Sequence, residues 1–113
     1  MKRDWDVIRE VLLEIEADTD GNVTYGESTG PIKTGHAFLL YKAGYIDGID
    51  VTTQEGPAMI SPELTWAGHE LLDTIRSKPV WEKIKSTAKD KGIELTFDAV
   101  VAISKKVLEM MIS

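Results

Sequence analysis

The chain has 113 residues, of which 42% are hydrophobic, no cysteine, and a formal charge of −6. Such a length and composition suit one globular domain over residues 1–113, with a single core that folds without metal or disulfide staples. Lack of cysteine excludes disulfides and cysteine-based zinc sites and fits a cytoplasmic setting better than a secreted one. No apolar run approaches the ~20 residues that cross a bilayer, and Asp4 and Asp6 interrupt any apolar export signal.

From Asp4 to about Ala17, the residues Trp5, Ile8, Val11, Leu12 and Ile15 recur at three- and four-residue steps, which predicts a helix capped by Asp4. It should stop in the turn-forming run Asp18-Thr19-Asp20-Gly21-Asn22, after which Val23-Thr24-Tyr25 reads as a short strand. The three glycines and one proline of residues 26–35 favour a turn over a regular helix until Pro31, which can open a helix running to about Ala43. Ile32, Leu39, Leu40 and Ala43 are its expected buried face, and Gly44 its stop. Tyr45–Val51 and Ala58–Leu64 read as the strands of a hairpin. A bulge at Gly48 is expected to turn both Ile46 and Ile49 to the core.

Thr65 is positioned to cap a third helix anchored by Trp66, Leu71, Leu72 and Ile75. Pro79 opens a fourth, with Val80, Trp81, Ile84 and Ala88 inward and Gly92 as its stop. Thr96 caps a last helix through Met111, whose apolar band is wider than one buried face needs. The order helix, short strand, helix, hairpin, helix predicts an α+β, winged-helix-like domain, with a helical extension at about 79–113. In that plan the helix before the hairpin is the recognition element and the hairpin the wing.

Met1-Lys2-Arg3-Asp4 with the Ile8–Glu16 helix resembles the start of the uncharacterised bacterial and phage family called domain of unknown function 2513. So do His36 with Leu39-Leu40, the run from Ala43 to Gly48, Gly56-Pro57, the run from Leu64 to Glu70, and Val80-Trp81-Glu82-Lys83. The Gly44-Tyr45-Ile46 and Leu64-Thr65 segments are more distantly similar to the YjcQ-like phage-associated family, which implies a winged-helix fold. Neither resemblance implies an activity, a cofactor or a catalytic residue set.

The acidic run at 18–22 begins like a calcium loop, yet the places that need glycine and a bidentate glutamate hold Val23 and Thr29. His36 and His69 are the only histidines, too few for a zinc site unless Glu70 and Asp73 add oxygen ligands. No phosphate loop or nucleophile elbow occurs. The reading is of a protein that is not an enzyme and takes no cofactor or metal.

Duplex DNA is one candidate partner. The side chains that would face it are Lys33, Thr34, His36, Tyr41 and Lys42 on the recognition helix, with Lys78, Lys85 and Lys89 aligned on the fourth helix. Against this, residues 45–65 contain four acidic groups and no Lys or Arg, so the wing has no cation to release counterions from phosphate. The competing expectation is a protein-interaction module, dimeric or joined to another protein through Ile103, Val107, Met110 and Met111 on the last helix. The first expectation is a DNA-associated regulator or accessory factor of bacterial or phage origin; the second binds no DNA.

Overall fold

The computed structural model describes residues 2–112. Its elements are α1 (Trp5–Ala17), β1 (Thr24–Tyr25), a 3-10 turn (Glu27–Thr29), α2 (Pro31–Lys42), β2 (Ile46–Asp50), β3 (Met59–Leu64), α3 (Trp66–Ile75), α4 (Lys78–Lys91) and α5 (Phe97–Ile112). The fold class is α+β, and the order of elements is compatible with a winged-helix layout. The chain forms two compact units, one up to Glu70 and one from Leu71 onward.

In the N-terminal unit, α1 starts where the Asp4 carboxylate accepts the Asp6 and Val7 amides at 3.0 and 3.4 Å. Such a cap satisfies donors that the first turn leaves without partners. Trp5, Ile8, Val11, Leu12 and Ile15 are all buried, and full burial of each large aliphatic side chain contributes roughly 1.5–3 kcal/mol. The helix ends at Asp18, whose carboxylate accepts the Asn22 and Val23 amides at 3.0 and 3.1 Å. Those bonds hold the carboxyl below its ordinary value of 3.8 and aim the chain into β1. The antiparallel sheet has the order β1-β3-β2; α1 packs on α2 and β3, and α2 also on β2.

The hairpin contains a bulge, but not the expected one. Ile46 pairs with Leu64 and Asp47 with Glu63, after which Ile49 pairs with Ile60 and Asp50 with Met59. Two residues, Ser61 and Pro62, therefore stand opposite Gly48, so the additional residue belongs to β3, where Ser61 has a φ of 51°. β2 keeps its period of two. Ile46 is buried while Ile49 points out, 54% exposed, which corrects the expectation that both face the core. Gly48 is needed because the Met59 side chain fills the inward place beside it: a Cβ there would lie 2.7 Å from the Met59 sulfur.

α2 is rotated relative to the expectation. Thr34, His36, Ala37 and Leu40 are buried, whereas Ile32 and Ala43 are exposed. Two polar side chains take inward places because their hydrogen bonds are met inside the fold. Gly44, at a φ of 84°, ends the helix: its amide bonds the Tyr41 carbonyl at 3.1 Å and the Tyr45 amide the Leu40 carbonyl at 2.9 Å, the Schellman pattern. Thr65 ties this end to the start of α3, its hydroxyl donating to the Gly44 carbonyl at 2.7 Å and accepting the Gly68 amide at 3.1 Å. A Cβ on Gly68 would come within 1.9 Å of the Tyr45 carbonyl oxygen, so only glycine permits that approach. Trp66, expected in the core, is 80% exposed. It lies on the helix face opposite Leu71, Leu72 and Ile75, and its indole N–H donates to Glu70 at 2.6 Å.

In the C-terminal unit, Leu71, Leu72 and Ile75 are buried. Ser77 caps α4, whose inward stripe is Val80, Trp81, Ile84 and Ala88, as the spacing predicts. Gly92 closes α4 in the left-handed conformation, and Thr96 accepts the Ala99 amide at 3.1 Å to start α5. The two helices pack together, with Val100, Ile103, Ser104 and Val107 forming the buried stripe of α5.

Candidate functional site

Three surfaces were expected to carry function: the α2 face, the α4 lysines and the end of α5. On α2 the candidates separate. His36 is 1% exposed; its Nδ1–H donates to the Ile32 carbonyl at 2.7 Å and its Nε2 accepts the Asp4 amide at 2.8 Å. A ring that donates at one nitrogen and accepts at the other is the neutral Nδ1–H tautomer, and here it fastens the start of α1 to α2. Thr34 is 2% exposed, and its hydroxyl donates to the Gly26 carbonyl at 3.0 Å, bracing the 3-10 turn against the helix. Neither side chain has an atom left to offer a ligand in this conformation.

Lys33 is directed at α1. Its ammonium lies 2.5 Å from Glu14 and 3.0 Å from Glu10, and the hydrogen bonds to Glu14 and then Glu10 push its pKa upward. Tyr25 joins the group, donating its hydroxyl to Glu14 at 3.1 Å. Burial, followed by the Glu14 charge, drives the phenol well above its ordinary value. The cluster thus links α2, α1 and β1 while neutralising a cation once expected to face phosphate. Tyr41 and Lys42 are exposed; the Tyr41 ring meets Phe38 edge-on at 6.3 Å, and the Lys42 charge helps lower the carboxyl of Asp50, whose main partner is the Thr52 hydroxyl.

On α4, Lys78 and Lys89 are exposed. Lys85 lies 3.3 Å from Glu82 and 5.5 Å above the Trp81 ring, so a carboxylate sits among the three aligned lysines. On α5 the four expected contact residues divide in pairs. Ile103 and Val107 belong to the buried stripe, and Met110 and Met111 are more than half exposed.

Two shallow depressions occur in the N-terminal unit. One, of about 260 Å³, runs past Gly26, Gly30 and Pro31 to Thr53, Glu55 and Pro57. The other, of about 300 Å³, is bordered by Glu16, Asp18, Glu63 and His69, but no group of three or more His, Asp or Glu among the described residues is disposed to hold a metal ion. One apolar surface went unrecognised in the sequence: Ile49 and Ile60 are paired and exposed on the outer face of the sheet, near Val51. The alternation of Ile49 and Val51, out of phase with Ile46, was its signal. On α5, where the sequence already showed an apolar band wider than one buried face, Val101, Leu108 and Ile112 are exposed.

Charge is divided unevenly. The N-terminal unit holds 5 Lys and Arg against 13 Asp and Glu, a net −8, and the C-terminal unit 8 against 6, a net +2. No helix among the described residues is long and apolar enough to cross a membrane.

Comparison with known proteins agrees with the resemblance drawn from the motifs. The chain is 36% identical to an uncharacterised protein of Haemophilus influenzae over 118 residues, covering the full length of both. No solved structure matches it. The model of the family described as "Hypothetical protein (DUF2513)" matches residues 2–94, and the chain belongs to that family.

Proposed function

We propose that this chain is a noncatalytic, cytoplasmic protein-interaction module whose winged-helix-like unit does not read DNA. The observation that carries the reading is the N-terminal net charge of −8, combined with the engagement of Lys33 by two glutamates. Phosphate affinity comes from cations that displace counterions. Here the helix in the recognition position has one lysine in an ion-pair cluster, and the hairpin that follows has none. Exposed aliphatic residues on the sheet and on α5 support a protein partner, because contiguous apolar surface on a small domain marks contact sites.

The DNA-associated regulator remains a second reading, favoured by the alignment of Lys78, Lys85 and Lys89 on one face of α4. Fluorescence anisotropy with a mixed-sequence duplex at low salt separates the two. The proposal expects no saturable binding by the full chain. Salt-dependent binding that weakens in Lys78→Ala and Lys89→Ala would establish the DNA reading instead.

A further inference from the structure

The outward face of the sheet places two unlike rungs side by side. On one, Ile49 stands opposite Ile60; on the next, Asp47 stands opposite Glu63. Like charges directly across a strand pair are unfavourable, and neither carboxylate has an ion-pair partner among the described residues. The chain supplies no cation nearby in sequence, since there is no Lys or Arg between Ala43 and Ile75. Among the described residues, this face therefore sets two carboxylates without an ion pair beside an aliphatic contact.

α5 presents the complementary combination. Val101, Leu108 and Ile112 are exposed at positions i, i+7 and i+11, a row displaced from the buried stripe, and Lys105 occupies i+4 in the same row. Lys105 is exposed and likewise has no ion-pair partner among the described residues. Along the helix, Lys105 and Leu108 are separated by about 4.5 Å of rise. Along β2, the charged and aliphatic rungs are separated by about 6.6 Å, a difference within the reach of a lysine side chain.

Resting on the protein-interaction reading, we propose that the partner is a second copy of this chain, whose α5 row of Val101, Lys105, Leu108 and Ile112 docks on the outer sheet face. Lys105 meets Asp47 and Glu63, and the aliphatic side chains cover Ile49 and Ile60. The opposite net charges of the two units favour such a contact between copies over one between like units.

Sedimentation equilibrium of the full chain across the micromolar range tests the proposal. A mass above the 12.5 kDa monomer is expected, with the dissociation constant raised at least ~tenfold by either Ile60→Ser or Leu108→Ser. Lys105→Glu weakens association similarly, and pairing it with Glu63→Lys restores it, a rescue that loss of folding cannot mimic. Circular dichroism should remain unchanged in all of these variants. A monomer at every concentration, or an assembly indifferent to the substitutions, overturns the proposal. The underlying interaction reading is sunk separately, by duplex binding in the anisotropy titration.

Discussion

α2 and α5 depart from ordinary helix patterning in opposite directions. α2 buries a histidine and a threonine and leaves Ile32 exposed; α5 buries Val100, Ile103 and Val107 yet leaves Val101, Leu108 and Ile112 in solvent. The difference lies in what each side chain finds. His36 and Thr34 meet donors and acceptors placed for them by α1 and the 3-10 turn, so their burial incurs little desolvation penalty. The second apolar row of α5 is only partly covered, with Val101, Leu108 and Ile112 keeping 39%, 46% and 84% of their surface exposed. Polar residues on α2 can therefore be structural, while exposed aliphatic residues on α5 are the ones available for contact.

Substitutions can break or sharpen this contrast. His36→Leu removes two hydrogen bonds and leaves the Asp4 amide without its acceptor, and a loss of about 2–3 kcal/mol of unfolding free energy is expected in urea titrations. A change near zero would mean that the imidazole is not holding α1 to α2. Lys33→Met should cost less, about 0.5–1 kcal/mol, because the ammonium is partly solvated. Its raised pKa fixes the sign: the contribution is complete below the ordinary lysine value of 10.5 and is lost as pH rises through the higher folded value. On the alkaline side, wild type and variant should thus converge in stability only once the solution is strongly basic. Leu108→Ser is the smallest effect on the fold, within about 0.5 kcal/mol, and a larger loss would place Leu108 in the core.

Much of the fold was legible because its signals are local. The caps at Asp4, Thr65 and Thr96, the stops at Gly44 and Gly92, and the α4 stripe each depend on a few neighbouring residues whose preferences agree with their surroundings. The orientation of α2 was not legible, since the partners of His36 and Thr34 come from Asp4 and Gly26, distant in sequence or across a turn. The bulge was assigned to β2 because Gly48 marks it, although the additional residue lies on β3 and shows only once the register is known. Trp66 misled for a simpler reason: an aromatic residue next to an apolar run looks like core until the helix phase is fixed. Among the candidate site residues, type alone could identify Lys33 as a cation, but not reveal that Glu10 and Glu14 are within reach.

The ring nitrogens of His36 report most directly on whether α2 is turned inward to hold the fold. Long-range ¹⁵N–¹H correlation spectra of the folded chain at neutral pH should show a protonated Nδ1 and an unprotonated Nε2, the state required by the bonds to Ile32 and Asp4. An Nε2–H ring, or one averaging between tautomers as in free solution, would contradict that arrangement and return His36 to the surface available for recognition.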